Sequence, residues 1–210
     1  YLFYFFYLTY SRVMEITSLN VIHKQIWNLL ENGINDASSS FHFPNLATID
    51  IDGNPTSRTV VLRSINYDKK TISFNTDIRS NKWLEMNKNS NVHIHIYDFN
   101  KKIQIRIRGQ AVLSYNNKDW DDAWNASTIM GKECYSTPCN PSTIIDDPEI
   151  IDKNIKDIKL ISNELDKFKV NFGRVNINIK SIDWLYLLHS GHRRAKFTYN
   201  EEIEMSWLAP

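Results

Sequence analysis

The chain has 210 residues and a formal net charge of +1, with 23% of its residues charged. That length suits one large domain or two small ones, and it is enough chain to bury a substantial core. The near-zero net charge excludes recruitment of nucleic acid or membrane by a global field, so any anion site must be local.

The opening stretch, YLFYFFYLTY, is apolar and aromatic but too short to span a bilayer. No basic region precedes it, which argues against a signal peptide. Met14 is the expected start, residues 1–13 are expected to lie outside the fold, and a membrane-surface anchor is the minor alternative. Residues 20–31 place Val21, Ile22, Ile26, Leu29 and Leu30 at helical spacing, with Gly33 as the stop. Alternation then takes over. Residues 46–53 read as a strand ending in an Asp-Gly turn, 57–65 as a β-branched strand, and 71–76 as a third. Residues 80–88 predict a helix with Ser80 as N-cap and Trp83, Leu84 and Met86 on its buried side. Residues 91–99 and 102–115 form two strong strands, joined as a hairpin across Asn100 and Lys101.

Residues 118–130 predict a helix with Trp120, Trp124 and Met130 inward, and 131–148 a Pro-containing loop. Residues 149–168 predict an amphipathic helix marked by Ile151, Ile155, Ile158 and Leu165. The tail returns to strands at 168–182, 183–188 and 192–199. Sequential strands pair most cheaply as antiparallel hairpins, and closure into a barrel removes exposed edges. The fold class is therefore mainly β with α, with helices flanking a barrel in one domain over 14–210. Cys134 and Cys139 have no second pair to complete a zinc site or a disulfide framework, which favours a reducing, cytoplasmic setting. His93 and His95 share a strand face without a third ligand at a telling spacing, so no metal is expected.

Several segments carry candidate chemistry. In IQIRIRG, isoleucines face one side while Gln104, Arg106 and Arg108 face the other. That polar face is either solvated or a wall of donors. Arg58 and Arg63 fall on opposite faces of their strand unless a bulge intervenes, and either can clamp a phosphate. In FNTDIRSNKW, Asn75 and Thr76 end a strand, and Ser80, Asn81 and Lys82 open a helix. Unpaired N–H groups and a lysine at that junction favour an anion, although a capped helix with an exposed lysine fits as well. HSGHRRAKF adds His192, Arg193, Arg194 and Lys196, either as a charged edge strand or as a second anion-contacting wall. No catalytic triad, GxGxxG or P-loop is present.

In this order, SRTVVLR, FNTDIRSNK, QIRIRG, VNFGRVNIN with DWLYL, HRRAKF and the terminal SWLAP resemble the pyridoxamine 5'-phosphate oxidase family, closest to its Alr-type FMN-binding branch. The resemblance covers residues 43–210. It implies a six-stranded antiparallel FMN-binding split β-barrel, homodimeric, with each flavin lying between two subunits. It also implies cofactor contacts at Arg58, Arg63, Asn75, Thr76, Ser80, Asn81, Lys82 and Gln104, with Arg193 or Arg194 completing the site, and it places Arg63, where the oxidases commonly have lysine, near the substrate phosphate as well. Asn81 stands where the family has arginine, and Arg79 is the nearest substitute. The implied activity is oxidation of pyridoxamine or pyridoxine 5'-phosphate by oxygen through FMN, with no catalytic acid or base assigned. The family's C-terminal substrate stretch is replaced by HRRAKF, and its Tyr, Arg and Ser set for the substrate phosphate is not legible in AWNASTIMGKECY. Alternatives are an FMN reductase using a nicotinamide, or a non-catalytic flavin- or oligonucleotide-binding barrel. The near-zero charge weighs against the oligonucleotide.

Overall fold

The computed structural model describes residues 18–151 and 162–210. Residues 1–13, Ile155 and Ile158 therefore lie outside the described residues. In chain order the elements are α1 (Leu19–Asn35), β1 (Asn45–Ile49), β2 (Pro55–Thr59), β3 (Leu62–Asn66), β4 (Thr71–Asp77), α2 (Asn81–Lys88), β5 (Asn91–Asp98), β6 (Ile103–Ser114), α3 (Lys118–Asn125), α4 (Ile129–Glu133), α5 (Ser162–Leu165), a 3-10 turn (Asp166–Asn171), β7 (Phe172–Tyr186), β8 (Arg193–Tyr199) and β9 (Ile203–Leu208). No helix among the described residues is long and apolar enough to cross a membrane.

The strands form one antiparallel sheet in the order β2-β1-β5-β6-β7-β4-β3, with β8 added to β7 and β9 to β8. The mainly-β fold class stands as expected. Among the described residues the strands number nine rather than six, and hydrogen bonding does not close the sheet. The two ends of the order, β2 and β3, are instead neighbours in the chain. The expected single strand over 57–65 breaks at Val60 and Val61, so its two halves serve opposite ends of the sheet. The break is held by Val60 N–H on Pro44 O at 2.9 Å and Leu62 N–H on His42 O at 2.9 Å. A covalent link thus curls the sheet where hydrogen bonds do not, and it brings β2 beside the β4–α2 junction.

Burial follows the alternation. Ile94, Ile105, Ile107, Ile177, Ile182 and Phe197 fill the inner face with Ile22, Ile26 and Leu30 of α1. Each such side chain contributes about 1.5–3 kcal/mol through burial. Gly33 does not end α1. It lets Phe41 pack onto the helix, where an added Cβ would lie 2.7 Å from the Phe41 Cβ.

Other boundaries moved for similar packing reasons. Segments 168–182 and 183–188 are one strand beginning at Phe172, because β6 pairs along its whole length with a bulge between Arg108 and Gly109. The start of the expected strand at 168 is a 3-10 turn. The expected helix over 118–130 ends at Asn125 and restarts at Ile129, leaving Met130 78% exposed rather than inward. On α2, Met86 is buried but Leu84 is 55% exposed. Glu85 takes the inward position, for reasons given below.

Gly173, opposite Thr76 in the β4–β7 ladder, is covered by Trp83 of α2. A Cβ there would lie 2.4 Å from Trp83 Cζ3 and 2.7 Å from Ile78 Cγ2. Gly173→Ala should therefore push α2 off the sheet and destabilise the chain by about 1–3 kcal/mol, the usual range for overpacking. A denaturant midpoint equal to the wild type would contradict this close packing.

Candidate functional site

The β4–α2 junction gathers the candidates from three separate segments. Lys82, in the first turn of α2, donates from Nζ to Thr76 Oγ1 at 3.2 Å. Ser80 sits at the N-cap but caps nothing. Its Oγ donates to Asp77 O at 2.6 Å and lies 3.3 Å from Thr76 Oγ1, leaving the first-turn N–H groups without a side-chain acceptor. Asn81 is exposed beside it. Arg58 arrives from β2 across the curl of the sheet, near enough to bias Lys82 electrostatically.

Glu85, buried one turn along α2, accepts from Arg58 Nη2 at 2.8 Å, Thr48 Oγ1 at 2.5 Å and Thr56 Oγ1 at 3.3 Å. Arg58 also donates to Thr48 and Thr56. Glu85 thus holds the guanidinium in place and occupies an otherwise apolar helix position. Two cations against one carboxylate leave the cluster net positive, with hydroxyls and uncapped N–H groups alongside. That donor set fits a phosphate monoester. Arg79 does not replace the missing family arginine. Its guanidinium binds Asp77 through both carboxylate oxygens and Thr137 O at 3.1 Å.

Burial, and secondarily Arg58, lowers the pKa of Lys82 below the ordinary lysine value. An amine depressed in this way costs stability while protonated, and that cost fades as pH rises through its folded pKa. A bound phosphate would favour the protonated amine, so anion binding should draw in a proton on the alkaline side. Flavin phosphate affinity should therefore hold near neutrality and fall as pH climbs toward the ordinary lysine value. In Lys82→Ala that fall should vanish, and affinity at neutral pH should drop by about 1.5–3 kcal/mol, as for hydrogen bonds to charged groups. Fluorescence titrations of FMN against pH read both effects.

Thr76 and Asn75 are adjacent on β4 and so face opposite sides. Asn75 belongs to a cavity of about 320 Å³ between β3–β4 and the α3–α4 segment. Its Oδ1 accepts from Arg174 Nη1 at 3.1 Å. Arg63 lines the same cavity. The register of β3 shifts between Leu62 and Ser64, placing Arg63 at an irregularity. Arg58 and Arg63 thus lie at two adjoining places rather than one. Burial pushes the Tyr135 hydroxyl of this cavity up, so it remains a protonated donor.

The remaining candidates lie elsewhere. Gln104 Oε1 is 3.2 Å from His95 Nε2. Arg194 pairs with Asp183 at 2.9 Å, an ion pair shared with Arg106 at 2.9 Å. Arg193 is exposed and donates to the carbonyls of Gly191 and His192 at 3.2 and 3.0 Å. Gln104 and Ser114 are the near and far ends of β6, and Ser114 pairs with Arg174. Ten residues of strand separate them, about 33 Å. One chain therefore keeps Gln104 and Arg194 far from the Asn75 cavity. Sequence reading passed over Glu85, Arg174 and Tyr135. Arg174 had a visible signal, the polar alternation R-V-N-I-N, but a charged residue on a polar strand face is commonplace.

Residues 24–114 match the family model for the pyridoxamine 5'-phosphate oxidase FMN-binding domain. Over 133 residues the chain is 30% identical to pyridoxine/pyridoxamine 5'-phosphate oxidase 2 of Arabidopsis thaliana, covering 56% of this chain and 67% of that protein. The fold is similar to that of a pyridoxamine 5'-phosphate oxidase-related, FMN-binding protein of Nostoc punctiforme, at TM-score 0.71 and 19% identity, covering 89% of this chain and 96% of the other. It is likewise similar to PhzG of Burkholderia lata, solved with tetrahydrophenazine-1-carboxylic acid, at TM-score 0.70 and 20% identity, covering 89% and 91%. The chain belongs to the pyridoxamine 5'-phosphate oxidase-like family, and its cofactor is FMN.

Proposed function

We propose that the chain is an FMN-dependent oxidase that converts pyridoxamine or pyridoxine 5'-phosphate to pyridoxal 5'-phosphate, with oxygen as electron acceptor. The observation that carries this reading is the net-positive Arg58–Lys82 cluster lying one strand residue away from the Arg63–Asn75 cavity. Arg58, Lys82, Thr76 and Ser80 would hold the flavin phosphate, with Asn81 at the rim. Asn75 and Arg63 would line the path from cofactor to substrate. FMN, when bound, supplies the two-electron acceptor, and the protein contributes position, charge and exclusion of water.

The separation along β6 supports a homodimer. Gln104 and Arg193 or Arg194 would reach the flavin held by a second copy, so that each site draws on two chains. The two cysteines are free, which fits the cytoplasmic placement we propose for this vitamin B6 chemistry.

Purified protein loaded with FMN should be yellow and should release hydrogen peroxide when given pyridoxamine 5'-phosphate. Protein that stays colourless after incubation with FMN would overturn the cofactor site. Yellow protein that consumes NADPH but yields no peroxide from the phosphorylated vitamers would replace the oxidase with a reductase.

A further inference from the structure

We propose that His95 is a positioning residue that orients the Gln104 carboxamide, so that Gln104 meets the flavin ring as a hydrogen-bond donor and not as an acceptor. This rests on the reading above in which Gln104 reaches the flavin held by a second copy. It gives the His93–His95 pair a part that the resemblance did not assign. Among the described residues no third ligand joins that pair to hold a metal.

The strand register decides which side chains share a face. His95 lies opposite Arg106 on β6, and Tyr97 opposite Gln104. Across the sheet, Gln104 is followed by Leu185 and then by Arg194, and Arg106 by Asp183. Residues opposed in an antiparallel pair point the same way, as do alternate residues along one strand. His95, Gln104, Arg106, Asp183 and Arg194 therefore share one face, and Arg193 points to the other. On the shared face Arg106 and Arg194 are both occupied with Asp183 at 2.9 Å.

The carboxamide of Gln104 is met by His95, whose Nε2 lies 3.2 Å from Oε1. An amide oxygen can only accept, so the imidazole donates from Nε2. That contact fixes the roles within the amide. Its oxygen is engaged, and among the described residues neither N–H of its NH2 group has an acceptor. An unheld amide can turn either end outward. With Oε1 held by His95, Gln104 presents two donors. A flavin ring offers acceptors at its carbonyl oxygens and bare ring nitrogens, and donors aimed there favour its electron-rich reduced form.

The test reads the bound flavin and not turnover. FMN affinity and reduction potential are measured for wild type, His95→Phe, His95→Gln, Gln104→Leu and the double variant His95→Phe with Gln104→Leu. Phenylalanine keeps a ring but no donor, whereas glutamine restores an N–H. In His95→Phe the potential should become more negative and FMN should bind about three- to tenfold more weakly, the worth of one net hydrogen bond. His95→Gln should recover the wild-type potential. The double variant should match Gln104→Leu, because His95 acts through that amide alone. If His95→Phe fails to fold, Gln104→Glu replaces it. Its carboxylate can only accept, so its potential should also fall, and an unchanged potential there would overturn the proposal. A silent His95→Phe beside a shifted Gln104→Leu overturns the proposal and leaves Gln104 at the flavin. A His95→Phe shift that persists in full in the double variant overturns it as well. A silent Gln104→Leu removes Gln104 from the flavin, and the two-copy site falls with the proposal. The expected shifts without peroxide release from the phosphorylated vitamers would sink the oxidase reading and leave this one standing.

Discussion

Arg58→Ala should weaken FMN binding by about 1.5–3 kcal/mol, roughly ten- to a hundredfold, because a charged hydrogen-bond donor is lost from the phosphate cradle we propose. It should also cost fold stability even without FMN. Glu85 is buried, and among the described residues its only ion pair is with Arg58. Alanine leaves that carboxylate with two threonine hydroxyls alone, and an under-satisfied buried charge costs about 1–3 kcal/mol or more. The two effects separate experimentally. Denaturant unfolding of the FMN-free protein reads the second, and flavin titration under native conditions reads the first. The double change Arg58→Ala with Glu85→Ala should recover part of the stability but none of the flavin affinity. If Arg58→Ala unfolds at the wild-type midpoint, the Arg58–Glu85 pair is not the tie between β2 and α2 described here.

Trp124→Ala should be the most destabilising single change on the α3–α4 side, by about 3–5 kcal/mol. Trp124 is fully buried, with ring centres 5.3 Å from Phe172 and 6.1 Å from Tyr135, and Nε1 donating to Asp166 Oδ1 at 2.8 Å. These three aromatics form a second, smaller core apart from the main one. Its removal leaves a cavity that the short α3 and α4 cannot close without moving. For a chain of this size the melting temperature should fall by roughly 6–20 °C. Tyr135 backs onto Trp124, so the Arg63–Asn75 cavity should loosen, while FMN affinity, which we assign to the Arg58–Lys82 cluster on β2 and α2, should hold. A thermal scan compared with FMN affinity separates these. A melting temperature within a degree of wild type would show that this small core contributes little.

Much of this protein was legible in one dimension. The alternation in IQIRIRG placed Ile105 and Ile107 inward and the polar residues outward, because a strand's faces repeat every second residue whatever it packs against. Adjacent residues at the end of β4 and the start of α2 stayed together in space for the same local reason. The order of short segments was enough to name the family.

What the sequence alone did not decide depends on contacts between distant residues. Strand breaks and joins are of this kind: 57–65 splits where the sheet curls, and the strand from Phe172 runs unbroken where β6 supplies a continuous partner. Nothing in the sequence around Glu85 shows that Arg58 arrives across the curl to offset its burial. The surroundings of Arg174 are likewise not written in its strand, since whether a guanidinium keeps a counter-ion depends on every chain segment that surrounds it. Periodicity is a property of the local backbone and survives in the sequence. Charge compensation and cavity shape arise only when remote segments meet, so the tertiary structure alone sets them.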